Sequence, residues 1–145
     1  MRKEIYRTLC EKLKGIPECD IRHIDLWNRN VEFIEQEDGW SRPAVFIEFG
    51  QIEWNPVVGN GIIRGDGTIK LHIVTDWKGG TADGSEFQEE SLAVLDFSQK
   101  IYEAINGLSG SHYSSFTLSQ SHTNHDHEDI VETIEVYKFK CTMER

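Results

Sequence analysis

The residue types most able to do chemistry gather in one short stretch of the second half of the chain. Imidazoles and carboxylates at such density can bind Zn²⁺ or a similar ion. The spacing argues against such a site, because a helical HExxH motif is absent and no Cys lies nearby. We therefore interpret the stretch as a polar hairpin loop and predict no bound metal, with a zinc site as the alternative. Its members are His122, His125, Asp126, His127, Glu128 and Asp129.

The other reactive side chains are isolated. His72 and Asp76 could form a dyad, but no Ser or Cys nucleophile is placed beside them, so we expect His72 to point outward from a strand. The glycine-rich segment 59–67 lacks the GxGxxG pattern of phosphate-binding loops. The tripeptide Arg64-Gly65-Asp66 is explained better by a tight turn or bulge than by adhesion. We predict no catalytic residue and no cofactor, and hence no enzyme.

Cysteine usage and hydropathy restrict the location of the protein. Cys10, Cys19 and Cys141 are odd in number and widely spaced, so we interpret them as reduced thiols. The first residues, MRKEIYRTL, lack the apolar core of a signal peptide, and no run approaches the roughly 18 apolar residues of a membrane span. We expect the protein to stay in a cytosol, without a membrane partner.

The charge of the chain is strongly negative and unevenly distributed. Residues 1–70 hold ten Lys and Arg against twelve Asp and Glu, whereas residues 71–145 hold five against thirteen. Tight nucleic-acid binding needs clustered Lys and Arg to neutralise phosphates. The chain is therefore not expected to grip nucleic acid.

Two amphipathic helices are predicted. The first covers residues 2–16, where four apolar residues recur at spacings of four, four and three. The second covers Ser85 to Leu108, with Ser85 and Gln88 forming a capping box. Beside its main apolar stripe lies a flank of Leu92, Leu95 and Tyr102, covered either by a broad core or by a neighbouring subunit.

The strands alternate in the pattern of a sheet. Residues 24–26 predict an edge strand, 44–54 a central strand and 68–75 a strand with Ile69, Leu71 and Ile73 in the core. The glycine-rich segment between the last two predicts a long, flexible hairpin tip. Residues 116–119 and 130–141 close the sheet, the latter as a central strand or with a bulge near Glu135. We expect one α+β domain over residues 1–145, with two helices on a largely antiparallel, possibly mixed, sheet of four to five strands.

This succession resembles the tail-terminator, or tail-completion, proteins of long-tailed bacteriophages and prophages. The resemblance spans nearly the whole chain, but the glycine-rich tip and the His-rich loop do not match the family. Its motifs are patterns of residues rather than invariant positions. They are the helix IYRTLCEKL, the strands PAVFIEFGQIEW and GTIKLHIVTD, the helix FQEESLAVLDFSQKIYEAINGL and the final HEDIVETIEVYKFKCTM.

The resemblance implies a ring, usually a hexamer, that caps the tail tube and meets the head-side connector. It implies a protein of the virion tail, assembled in the bacterial host cytoplasm, through which DNA passes without being held. An acidic lumen containing Asp126, Glu128 and Asp129 would fit that passage, because it repels phosphate.

An assembly protein of this kind needs contact residues. The helix flank and the glycine-rich hairpin supply the candidates Leu92, Leu95, Tyr102, Trp54, Asn60 and Arg64. Three alternatives remain open: a head-completion or neck adaptor protein, a metal-binding module or small metal-dependent enzyme that uses loop 122–129, and a cytosolic dimer that recruits a protein partner.

Overall fold

A computed structural model describes residues 1–28, 40–56, 61–76, 82–85, 88–124 and 130–144. Helices and strands follow one another in the predicted order. Within the described residues, no helix is long and apolar enough to cross a membrane. The elements are α1 (Arg2–Lys14), β1 (His23–Leu26), β2 (Ala44–Pro56), β3 (Ile62–Asp76), α2 (Gln88–Leu92), a 3₁₀ turn (Ala93–Leu95), α3 (Asp96–Ile105), β4 (Tyr113–Asn124) and β5 (Ile130–Glu144).

The strands form one five-stranded sheet in the order β1-β2-β3-β5-β4. β1 runs parallel to β2, and all other neighbours are antiparallel. The predicted α+β class with a mostly antiparallel, mixed sheet is therefore confirmed. β1 and β4 are the two edges, and β5 lies between β3 and β4 as the predicted central strand.

The two faces of the sheet are covered differently. On the helical face, Ile5, Leu9 and Leu13 of α1 and Ile101 and Ile105 of α3 close the main core against the alternate residues of the strands. On the opposite face, a smaller cluster joins Ala44, Phe46, Val74 and Ile130, with Trp27 and Trp40 packed against it. The sheet is thus apolar on both sides at the β1 end, which the sequence of β2 predicts.

The second helical segment differs from its prediction, because it is not continuous. Its described part, α2 from Gln88, tightens into a 3₁₀ turn at Ala93–Leu95 before α3 starts, and residues 86 and 87 lie outside the described residues. Gln88 does reach back as a cap, but its Oε1 accepts from the backbone N–H of Gly84 at 3.3 Å rather than from Ser85. No Pro or Gly stands at the turn, and no contact of the described residues explains the tightening.

The glycines of the predicted flexible tip have a different role. Gly65 and Gly67 are buried in β3, which begins at Ile62. A Cβ at Gly65 would lie 2.8 Å from the Trp54 ring, and one at Gly67 would lie 2.7 Å from the Phe139 ring. Glycine is required here for the close approach of aromatic rings, so the flexible-tip prediction is wrong for these two positions. Of the rest of the predicted tip, Gly61 is described and has a φ of 72°, and residues 57–60 lie outside the described residues.

The strand irregularities also lie elsewhere than predicted. Register shifts occur between Phe49 and Ile52 in β2, and at Ser114–Thr117 and Leu118–Gln120 in β4. β5 pairs without interruption with β3 on its other side. Of the two alternatives for β5, the central strand is therefore confirmed, since β5 lies between β3 and β4 and pairs regularly with β3 at Glu135.

Candidate functional site

A groove runs between α3 and the edge strand β4. Its volume is about 480 Å³. α3 and the residues beside it supply one wall, β4 the other, and Glu135 of β5 the floor. The lining residues are Leu95, Ser98, Gln99, Tyr102, Asn106, Thr117, Leu118, Ser121 and Glu135.

The wall of α3 is the flank singled out in the sequence. The helical repeat turns Ile101 and Ile105 into the core and leaves Leu95 and Tyr102 about 100° to one side. Leu95 is 64% exposed, whereas Leu92 and Tyr102 are half-buried, and Tyr102 packs against the main core. The structure therefore brings Leu95 and Tyr102 into one groove, with Leu95 reaching furthest into solvent.

The edge of β4 is covered over only half of its length. Gly107 N–H donates to the Phe116 carbonyl at 2.6 Å, and Phe116 N–H donates to the Leu108 carbonyl at 3.2 Å. Leu118 N–H donates to Asn106 Oδ1 at 3.4 Å. Beyond that point residues 119–123 contain no Lys, Arg, Asp or Glu, and no strand among the described elements pairs with their outer side.

The floor of the groove contains a buried carboxylate. Glu135 is 4% exposed, and Ser121 Oγ donates a short hydrogen bond to its Oε2. The hydroxyl of Tyr137 is buried nearby without a hydrogen-bond partner among the described residues. Burial, and then the charge of Glu135, raises the pKa of Tyr137 above its ordinary value. This arrangement keeps the phenol protonated and offers a hydrogen-bond donor, but it provides no activated nucleophile.

A second polar cluster lies on the opposite face of the sheet, where the sequence did not predict one. His72 is only 4% exposed, whereas the sequence analysis predicted that it would point outward. Its Nδ1 lies 2.7 Å from Glu132 Oε2, and its Nε2 lies 3.7 Å from Glu48 Oε1. The alternation of residues in β3 correctly places His72 on the face opposite the main core. On that face, however, Trp27 covers it. The dyad with Asp76, which the sequence analysis considered but did not favour, does not form: His72 contacts these carboxylates, and Asp76 pairs with Arg42.

The hydrogen bonds and the packing of this cluster indicate a structural role rather than a reactive one. Asn124 Nδ2 donates to Glu132 Oε1 at 2.6 Å, so both oxygens of that buried carboxylate have partners. The Trp27 ring seals the outer side of His72. A signal for this cluster does exist in the sequence. Glu132 lies on an apolar face of its strand, where an acidic side chain is not expected unless it has a buried partner.

The His-rich stretch is only partly described. His122 lies in β4, exposed, with Nε2 3.3 Å from Gln120 Oε1. It therefore belongs to a strand and not to the predicted loop. His125, His127 and the carboxylates at 126, 128 and 129 lie outside the described residues. In the part of the chain that is described, no three His, Cys, Asp or Glu side chains are grouped as metal ligands would be.

The remaining contact candidates lie at the other end of the sheet. Trp54 is half-buried and packs against the main core over Gly65. Arg64 is exposed and borders a hollow of about 470 Å³ that also contains His112 and Lys140. Asn60 lies outside the described residues.

The three thiols show no sign of activation. Cys10 is half-buried, Cys19 and Cys141 are buried, and all three are free. Burial raises the pKa of each thiol. A raised pKa keeps a thiol protonated and slow to react.

Comparison with known proteins shows a shared fold but no family. Neither protein-family models nor curated proteins gave a match to this chain. Among solved structures, a chain in the "Virion of native gene transfer agent (GTA) particle" is similar, with a TM-score of 0.51 and 9% identity. The alignment covers 93% of this chain and 92% of that chain. At this identity the likeness shows the fold, and it extends over nearly the full length of both chains.

Proposed function

We propose that this chain is a structural protein of a phage-type virion, in which it forms a ring that caps the tail tube and joins it to the head connector. The observation that supports a virion protein is the fold shared with a chain of a virion over 93% of the length. The ring and its place on the tail are proposed from the sequence resemblance. The sequence resemblance to tail terminators supports the same assignment independently. The virion tail is then its final location, after assembly in the bacterial host cytoplasm.

The surfaces of the described residues suit an assembly protein better than an enzyme. Burial raises the thiol pKa values, and the buried carboxylates Glu132 and Glu135 are held by hydrogen bonds. The open features are instead a groove, a bare strand edge and an exposed Leu95. Its partners in this proposal are further copies of itself, the tail-tube protein and the connector, while DNA passes through unbound.

The proposal is tested by removing the gene from the phage or prophage that carries it. A protein that caps the tube should, when absent, leave tails of uncontrolled length without heads. Electron microscopy of negatively stained lysates measures the tail lengths, and expression of the wild-type chain from a plasmid should restore them. Tails of normal length that fail to join heads would assign the chain to the neck adaptors instead, and normal infectious particles would refute the proposal.

A metal-binding role is checked on the purified protein. If loop 122–129 held Zn²⁺, calorimetry with Zn²⁺ would show heat of binding that His125→Ala abolishes. We expect no such heat.

A further inference from the structure

We propose that the two edges of the sheet are complementary halves of one contact between copies of this chain: the α3–β4 edge of one copy binds the α1–β1 edge of the next. The inference rests on the proposed ring and names the surfaces that would build it. It is carried by the placement of exposed apolar side chains, by the charges of the two helical segments and by the bare part of the β4 edge.

The exposed apolar side chains lie at opposite edges. Among the described residues, three large hydrophobic side chains are exposed: Leu26 at 48%, Leu95 at 64% and Met143 at 46%. Leu26 belongs to the edge strand β1, and Leu95 lines the groove beside the edge strand β4. Met143 belongs to the inner strand β5. Two of the three therefore mark the two edges of the same sheet.

The side chains of both edge leucines lie on the face of the sheet that the helices cover. Leu26 alternates with Ile24, which packs into the main core beneath the helices, so the two side chains share that face. Leu95 immediately precedes α3 on the same face. In a head-to-tail arrangement the two leucines can therefore meet at one level, between α1 of one copy and α3 of the next.

The helical segments carry opposite charge. α1 contains five Lys and Arg against two Glu, whereas Gln88–Ile105 contains four Asp and Glu against one Lys. Lys3, Arg7 and Lys14 follow one another at the spacing of a single exposed stripe, and among the described residues none of them forms an ion pair. α1 packs beside α3, and the chain at the end of α3 bonds to β4, so the remaining side of α1 faces the β1 edge.

The charge pattern selects a head-to-tail contact over a symmetric one. A two-fold contact through Leu95 would set the acidic segments of two copies against each other, and one through Leu26 would set the basic helices together. Pairing the unlike edges brings the basic helix α1 against the acidic segment Gln88–Ile105. A heterologous contact of this kind generates a ring when its rotation closes.

The part of the β4 edge that no other described element covers fits the same partner. Proteins protect open edges with Lys, Pro or bulges. The register shift at Leu118–Gln120 is such an irregularity, but residues 120–123 beyond it read QSHT, pair in regular register with β5 and contain no Lys or Pro. In the proposed contact this edge is covered by the neighbouring copy.

The test blocks one edge at a time. Leu26→Glu and Leu95→Glu each remove one half of the contact, and Met143→Glu is the control at a similar exposure away from both edges. Mass by light scattering should show oligomers for the wild type and for Met143→Glu, and monomers for each edge variant alone. An equimolar mixture of the two edge variants should form a dimer and nothing larger, because one intact pair of edges remains.

Other outcomes would overturn the contact. Rings that persist in both edge variants would exclude these edges, while the tail-length assay of the gene deletion would still decide the proposed function. Self-association of Leu26→Glu alone as a dimer would indicate a symmetric contact through Leu95.

A weak contact is captured by cross-linking, so that a monomeric wild type does not leave the proposal undecided. In a Cys10→Ser background, Leu26→Cys with Leu95→Cys in one chain should give a ladder of disulfide-linked multimers under mild oxidation. Each single cysteine variant should give no ladder, and a mixture of the two should stop at dimers. A double variant that remains monomeric would overturn the proposal.

Discussion

The indole of Trp27 lies flat on the imidazole of His72, with ring centroids 3.8 Å apart and an angle of 2° between the planes. Trp27 follows the end of β1, and His72 lies in the middle of β3, two strands away. Phe46 on the intervening strand supports the indole from its edge, at 6.1 Å between centroids. The stack encloses a histidine whose Nδ1 contacts the buried Glu132.

Removal of the imidazole should destabilise the fold, because Glu132 would then remain buried without its partner. We expect His72→Leu to lower the free energy of unfolding by about 2–4 kcal/mol. The double variant His72→Leu with Glu132→Leu should lose less than the sum of the two single variants, with a coupling of about 1–3 kcal/mol. Urea unfolding measures all three.

His122→Leu is the matched control, since His122 is exposed on β4. It should change the free energy of unfolding by less than about 0.5 kcal/mol. Equal effects of the two histidine substitutions would contradict the role assigned to the buried cluster.

Glycine at position 67 should be required by packing. A Cβ there would lie 2.7 Å from Phe139 Cζ and 3.1 Å from Ile52 Cγ1, so Gly67→Ala is expected to cost about 1–3 kcal/mol through overpacking. Gly15→Ala is the control, because its Cβ would meet only carbonyl oxygens at 3.4 and 3.5 Å and its φ is −81°. That substitution should be neutral or slightly stabilising. Thermal unfolding of both variants tests the difference, and tolerance of Gly67→Ala would refute the close approach.

Because Leu95 is exposed, we expect its substitution to leave folding intact. Leu95→Glu should leave the free energy of unfolding within about 0.5 kcal/mol of the wild type. Ile101→Glu, at a residue with 0% exposure on the same helical segment, should prevent folding because it buries an unpaired carboxylate. Circular dichroism distinguishes the two variants. Loss of structure in Leu95→Glu would show that the side chain belongs to the core.

The contact of Glu4 with the turn before β4 should depend on pH. Glu4 Oε2 lies 3.0 Å from His112 Nδ1, and Ser111 N–H donates to Glu4 Oε1 at 3.0 Å. The side-chain hydrogen bond with His112, aided by that of Ser111, holds the pKa of Glu4 below its ordinary value of 4.5. A lowered pKa in the folded state stabilises the fold above that ordinary value, and the stabilisation is lost as the pH falls through the folded-state pKa.

Glu4→Gln should accordingly be less stable than the wild type near neutral pH, by less than about 1 kcal/mol, since the pair is partly exposed. The difference should shrink in acid, below pH 4.5. Glu11→Gln, at an exposed position of the same helix, is expected to show no such pH dependence. Urea unfolding over a pH series makes the comparison, and a constant deficit for Glu4→Gln would contradict the assignment.

The spacing of apolar residues predicted helices and strands well where an element buries one face in the main core. The stripe of Ile5, Leu9 and Leu13 placed α1, and the alternation of Ile69, Leu71 and Ile73 placed the core side of β3. The order of elements and the edge position of β1 followed from the same patterns.

Spacing could not tell whether the other face of the sheet was covered. His72 was assigned to that face correctly, but its covering residue, Trp27, is separated from it by 45 positions of chain. Gly65 and Gly67 led to the prediction of a flexible hairpin tip, because glycine is typical of turns. The sequence does not reveal that two aromatic rings approach the backbone at these positions from other strands. The groove beside α3 was predicted only as a flank, since its second wall comes from β4.

The unlike charges of α1 and of the segment Gln88–Ile105 lie side by side in one layer, so positive and negative charge are separated between these two helical segments. In the edge-to-edge contact proposed above, this separation of charge would orient two copies before any side chains touch, which raises the fraction of productive encounters. Added salt screens this orientation over about 10 Å at an ionic strength near 0.1 M. The rate constant of association should therefore fall steeply with ionic strength, while the rate constant of dissociation changes little.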